Sequence, residues 1–396
     1  MMRLQSNKAL LLALVLISIP MYSFQSTPTH RHVMAHPASV QTVAPSAAKK
    51  IKIALLLDTS GSMDGLIDQA KAQLWTIVEE LAKAKCDWAA SRGAKPEVTI
   101  ALYEYGNDRL SAKEGYIRMV TPLTHDLDKL SADLFSLTID GGSEFCGHVI
   151  QTACRQLDWS TDGDDFQVIF IAGNEPFTQG NVNYKEACAL ARSKHIVVNT
   201  IFCGPMEEGI STSWKAGADL TGGNYMSIEQ NRKTVFIPSP YDAKITELNI
   251  QLNTTYIEYG KGGKEKKMNQ STQDNNAQSY GAGNAVKRAV SKSSHIYKND
   301  SWDLVDKSEE KGFEVSKIDK EELPEPMKNM SDDQKKQFIT KKKAERDQIK
   351  SEIGQLNQQR EKYIAQQNKQ STDDKMLDKV MLQSIRKQAA TKKLTF

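Results

Sequence analysis

From residue 51 onward, near-continuous apolar runs alternate with amphipathic segments, and this alternation leaves few folds open. Ile51–Leu57 is apolar almost throughout and ends in Asp58. Val98–Tyr103, Val168–Ala172 and Ile196–Phe202 are runs of the same kind, and Tyr116–Leu123 reads as a further strand. Between the first two, Leu66, Ile67, Ala70, Leu74, Ile77, Val78 and Leu81 fall at helical spacing. Leu127, Leu130, Leu134 and Leu137 mark a second helix, and Val149, Ile150, Ala153, Cys154 and Leu157 a third. Helices are also predicted around Tyr184–Arg192 and Trp214–Leu220, the latter stopped by Gly222-Gly223 before an edge strand, Asn224–Ile228. Strands apolar on both faces need cover on both faces, which crossover helices on a parallel sheet supply. The expected fold is therefore a doubly wound, mostly parallel α/β sheet over residues 49–230.

The rest of the chain is read by composition. At roughly 150 residues per domain, 396 residues suggest two or three folded units. With 52 Lys+Arg against 49 Asp+Glu, the net charge of +3 excludes, as a whole-chain property, a strongly basic nucleic-acid binder and an acidic tail protein. Residues 1–24 read as an export signal: Arg3 and Lys8 precede the apolar run Ala9–Pro20, which falls short of the about 18 residues a membrane span needs. An exported protein, periplasmic or extracellular, is expected, with a membrane tether as the outcome if the signal stays uncleaved. Residues 25–48, including His30, His32 and His36, read as a linker. Residues 231–330 read as a polar, partly disordered connecting region, because the stretch Asn269–Asn284 offers little apolar area to bury. Within it, Thr255–Tyr259 and Trp302–Val305 are islands suited to docking on the main domain. Residues 331–396 read as a helical tail in which Ile349, Ile353, Leu356 and Tyr363 give a coiled-coil-like stripe, interrupted by Lys342, Arg346 and Arg360.

The 5 cysteines, Cys86, Cys146, Cys154, Cys188 and Cys203, show no CxxC spacing, so a zinc site is not indicated. In an oxidising compartment they allow one or two disulfides with at least one thiol left over; the bland reading is that several are small buried apolar residues. Met63, Trp75 and Trp88 read as packing, and His148 as a surface or core histidine.

The sharpest local signal is Asp58-Thr59-Ser60-Gly61-Ser62-Met63, directly after the first buried strand. Ligand sites in open parallel sheets lie beyond the carboxyl ends of the strands. One carboxylate and two hydroxyls at alternate positions present hard oxygen donors of the kind that suit Mg²⁺, with Mn²⁺ or Ca²⁺ as alternatives.

This motif resembles the start of the metal-ion-dependent adhesion site (MIDAS) of the von Willebrand factor A, integrin I-like, domain family. The resemblance extends to Val98–Gly106, to the loop Asp140-Gly141-Gly142-Ser143-Glu144 and to the turn Ala218–Tyr225. It implies that Asp58, Ser60 and Ser62 bind a metal, with Ser143 supplying the hydroxyl that a Thr usually gives. The family's third loop usually carries an Asp, but here the run is Ala172-Gly173-Asn174-Glu175-Pro176. Asn174 or Glu175 would then have to reach the ion, directly or through water. Glu144 could compensate for the missing Asp or could occupy the place of a partner's acid.

The expected function is divalent-cation-dependent protein binding, in which a partner offers an acidic side chain to the metal. Enzymatic chemistry is not expected. Ser stands at position 60, where a phosphotransferase of the haloacid dehalogenase type needs a second acid. Neither a nucleophile elbow nor a Gly-rich phosphate loop is present. The alternative is a scaffold protein acting through its C-terminal helix on a degenerate metal site, with a metal-dependent phosphohydrolase behind it.

Overall fold

The computed structural model describes residues 49–87, 93–234, 236–367 and 376–396. The expected signal, the linker with its histidines, and Trp88 lie outside these residues. The described chain opens with β1 (Lys50–Asp58), α1 (Asp64–Leu81), the short β2 (Lys85–Cys86), β3 (Glu97–Tyr105) and β4 (Ile117–Thr124). It continues through α2 (Leu127–Phe135), α3 (Cys146–Gln156), β5 (Phe166–Gly173), α4 (Tyr184–Ser193) and β6 (Val197–Cys203). Then come α5 (Met206–Ser211), α6 (Trp214–Asp219) and β7 (Tyr225–Ile228). The remainder is helical: α7 (Asp242–Asn253), α8 (Gly263–Ser279), α9 (Ala282–Ser293), α10 (Leu304–Lys307), α11 (Glu325–Lys328), α12 (Asp332–Gln367) and α13 (Leu377–Thr391), closed by β8 (Leu394–Thr395).

The main sheet has the order β4-β3-β1-β5-β6-β7. Its neighbours are parallel except β4, which runs antiparallel to β3. This is the doubly wound, mostly parallel sheet expected. From β1 the chain first builds outward through β3, then returns to build through β5 on the other side. The strand order thus reverses at the carboxyl ends of β1 and β5, which is where an open α/β sheet forms its crevice.

Pleating divides the strand residues between two cores. Ala54, Leu56, Ala101, Tyr103, Ile169, Ile171 and Val198 face Val149, Ile150 and Ala153 of α3, Ala187 and Ala191 of α4, and Trp214 of α6. Ile53, Leu55, Leu57, Ile100, Leu102, Val168 and Phe170 share the opposite core with Leu66, Leu74 and Val78 of α1 and Leu130 and Leu134 of α2. Leu377, Val380, Met381 and Ile385 of α13 belong to that same core, as do Val286, Ala289 and Val290 of α9. The C-terminal segment is therefore part of the sheet's cover. β8 also pairs antiparallel with β2, joining the end of the described chain to the segment after α1.

The stretch expected to be poorly ordered forms α8 and α9, and polar groups explain why. Asp274 accepts hydrogen bonds from Arg288 Nε (2.8 Å), Lys292 Nζ (2.9 Å) and Asn253 Nδ2 (2.7 Å). Arg288 also pairs with Asp128 at 2.6 Å and lies over the Trp75 ring, 4.4 Å from its centre. Apolar periodicity is a poor guide to helices anchored by buried ions. The two expected islands pair with each other, with Tyr259 N–H donating to the Trp302 carbonyl at 2.8 Å, and Tyr256 and Trp302 join the core of β1 and α1. α12 is a single helix of 36 residues within the expected helical tail, but its seam faces its own chain. Ile353 is fully buried, and Arg346 lies 2.6 Å from Asp303, 2.7 Å from Asp306 and 4.0 Å above the Tyr256 ring. Arg360 likewise pairs with Asp242 at 2.8 Å. The interrupting arginines are the helix's anchors.

All five cysteines are buried free thiols, so the disulfides that export would allow are absent and the small-apolar reading holds. Met63 and Trp75 are buried, as packing residues should be.

Candidate metal centre

Three loops meet above the carboxyl ends of β1 and β5: residues 59–63, 139–145 and 174–180. Backbone hydrogen bonds tie the first two together. Gly61 N–H donates to the Gly141 carbonyl at 2.9 Å, and Asp140 N–H to the Thr59 carbonyl at 3.0 Å. Gly106, just past β3, forms an antiparallel bridge with Ser143. The fold thus holds the Asp58 turn and the Gly-Gly-Ser loop in fixed register.

Asp58 is completely buried at the end of β1. Its Oδ1 accepts the Ser60 N–H at 2.8 Å, the bond that closes the turn. Ser60 Oγ lies 3.4 Å from Ser62 Oγ, and Asn174 Nδ2 donates to Ser62 Oγ at 3.2 Å. Asp58, Ser60, Ser62 and Asn174 therefore form one linked set, graded from buried carboxylate to exposed hydroxyl. Ser143 joins through its backbone bridge to Gly106. Glu175 takes part mainly through its main chain: its carbonyl accepts from Trp214 Nε1 at 2.8 Å, and its N–H faces the Glu144 carboxyl.

Glu144 stands closer to the centre than the sequence alone indicates. It is 3% exposed, and its N–H donates to Gln179 Oε1 at 2.6 Å. The Ser60 hydroxyl faces both the Asp58 and the Glu144 carboxyls. Gly106, at φ +79°, makes this possible: a Cβ there would lie 2.8 Å from Asp58 Oδ1 and 2.7 Å from Glu144 Cγ. Gly173 closes the other side, where a Cβ would lie 3.1 Å from Asp58 Oδ2 and 2.5 Å from the Tyr105 hydroxyl oxygen. That hydroxyl is fixed by donating to the Ala172 carbonyl at 2.9 Å. Gly106, Gly173 and Tyr105 escape sequence reading because their role is to leave room and to wall, which no motif announces.

Burial, and then the neighbouring Glu144, push the Asp58 carboxyl well above the usual carboxylate range. Burial likewise raises Glu144. The Asp58 and Glu144 carboxyls face each other at hydrogen-bond distance, and Asp58 Oδ2 and Glu144 Oε2 receive no other donor. Among the described residues, neither carboxyl pairs with a cationic side chain. Two buried acids in contact with no cation beside them suit a bound positive charge. Oxygen donors only, with carboxylates and hydroxyls intermixed, fit a hard divalent cation. No ready-made group of three or more Asp, Glu, His or Cys is present among the described residues, so hydroxyl and amide oxygens would have to complete the coordination.

Residues 52–212 match the family model for the von Willebrand factor type A domain. This part of the chain is a von Willebrand factor type A domain. No curated protein matches the chain. Among solved structures, it is similar to BatB from Bacteroides thetaiotaomicron, at 16% identity and a TM-score of 0.35 over 45% of this chain and 90% of that one. It is also similar to the SpRpn10 von Willebrand A domain, at 16% identity and a TM-score of 0.34, covering 45% of this chain and 87% of that one. A third likeness is to proximal thread matrix protein 1 from the mussel byssus, in a form with zinc in its MIDAS motif. There the identity is 12% and the TM-score 0.33, over 46% of this chain and 43% of that one. Von Willebrand A domains are in general non-enzymatic modules that mediate protein interactions and typically hold a divalent cation at the MIDAS.

Proposed function

We propose that this chain is an exported binding protein whose von Willebrand A domain captures a protein partner through a divalent cation, Mg²⁺ or Mn²⁺. The observation that carries this reading is the pair of buried acids, Asp58 and Glu144, which face each other at the switch point of the sheet with no cationic side chain beside them among the described residues. Asp58, Ser60, Ser62 and Asn174 would hold the ion, with Ser143 alongside. A bound dication supplies an electrophilic position at which a partner's Asp or Glu can bind. The protein's own share is preorganisation. Gly106 and Gly173 admit the acid at the end of β1, the Ser60 N–H orients it, and exposed Ser62 brings the donor set to the surface.

α12 and α13 spend their apolar residues and buried arginines on their own chain, which favours the loop face over the tail as the working surface. Export is proposed from Arg3, Lys8 and the apolar run Ala9–Pro20.

A displayed random-peptide library panned on the full chain in Mg²⁺ tests the proposal. Asp- and Glu-containing peptides should be enriched, and the enrichment should disappear in EDTA and with Asp58→Asn. Enrichment that survives both treatments would overturn the cation-bridged mechanism.

A further inference from the structure

We infer that Glu144 is the second carboxylate ligand of the cation site, standing in for the acid that the third loop lacks. The inference rests on the cation reading above and adds to it a ligand from the second loop. Charge and geometry carry the argument. The third loop offers Asn174, whose amide is committed to Ser62 Oγ at 3.2 Å, and Glu175, whose main chain is anchored to Trp214. Neither places a buried carboxylate beside Asp58. Glu144 does: it is 3% exposed, and a single absent Cβ at Gly106 separates its Cγ from Asp58 Oδ1. Its own supports are in place, because Gln179 fixes its N–H at 2.6 Å and the Glu175 N–H faces its carboxyl. Such outer partners orient a ligating carboxylate in advance of the ion. Its carboxyl faces that of Asp58, and Glu144 Oε2 and Asp58 Oδ2 receive no donor from any other group. The two carboxyls converge from either side of Gly106, and the described residues supply no cationic side chain to either. A dication held by both would fill that place.

Titration calorimetry of the full chain with Mn²⁺ alone, on the wild type, Asp58→Asn, Glu144→Gln, Glu175→Gln and the double variant Glu144→Gln/Asn174→Asp, tests this. Near-ultraviolet circular dichroism should confirm that each variant is folded. Glu144→Gln should weaken Mn²⁺ by about 10- to 100-fold or more, well beyond the effect of Glu175→Gln, and the double variant should regain affinity by restoring an acid on the third loop. If Asp58→Asn abolishes binding while Glu144→Gln binds like the wild type, the Glu144 assignment is overturned and the cation site stands. If the wild type shows no heat, or Asp58→Asn binds as well as the wild type, the cation reading itself falls. Should Glu144→Gln fail to fold, Glu144→Asp, which sets the carboxylate back by one methylene, takes its place, and wild-type affinity in that variant overturns the assignment.

Discussion

Glu144 and Asp58 lie 86 positions apart in the sequence numbering and become neighbours only because β3 runs beside β1 and is followed directly by Gly106. The Asp-x-Ser-x-Ser spacing is a local signal and was legible. That Glu144 could compensate for the missing third-loop acid was legible as one of two options, whereas its burial against Asp58 across a glycine depends on strand register and was not. The same applies to the arginines of α12, which interrupt a hydrophobic stripe in sequence and bury themselves against acids in space. Arg346 is 2% exposed and serves both Asp303 and Asp306. Its removal strands two buried acids, so Arg346→Ala should cost about 3–5 kcal/mol in denaturant unfolding. A loss under about 1 kcal/mol, ordinary for an exposed pair, would contradict this account. His295 gives a pH-dependent counterpart. Burial, followed by Lys95 and Lys298, lowers its pKa from 6.5 to about 4. Above pH 6.5 it is neutral in both folded and unfolded chains. As the pH falls from 6.5 towards 4, the unfolded chain takes up a proton that the folded one refuses, and stability is lost. Urea midpoints at a series of pH values should therefore show His295→Gln gaining on the wild type across that window, whereas a constant difference would show that the imidazole is not proton-linked to folding.

Among the elements, the strands were the most legible, because a buried parallel strand must be apolar on both faces and so writes itself as a continuous run. α1, α3 and α4 were legible from their 3.6-residue period. α8 and α9 were not, since α8 is ordered through Asp274 and its partners Arg288, Lys292 and Asn253. The placement of α13 was equally hidden: its apolar face predicts a helix but not the surface it covers. Leu377, Met381 and Ile385 lie in the core shared by β1 and α1, and Asp378 N–H donates to Gln73 Oε1 at 2.7 Å. Truncation after residue 375 should therefore expose the sheet's covered face. The shortened chain should lose near-ultraviolet dichroism and bind a hydrophobic dye. A truncated protein with native dichroism and an unchanged unfolding midpoint would show that α13 is an appendage and not part of the core.

For the whole molecule, the shared core means that the loops carrying Asp58, Ser60 and Ser62 stand on one body that extends from β1 to β8. Binding energy gained at those loops should register as global stability. A dication at about 100 times its dissociation constant would add about 2.7 kcal/mol to unfolding if it binds only the folded state. The midpoint of thermal unfolding should rise with Mg²⁺ in the wild type and stay flat in Asp58→Asn. The most direct measurement is anomalous diffraction from crystals of the chain soaked in Mn²⁺. A difference peak bounded by the Asp58 carboxyl and the Ser60 and Ser62 hydroxyls is the predicted result; ordered density for those three side chains with no anomalous signal between them would contradict the account.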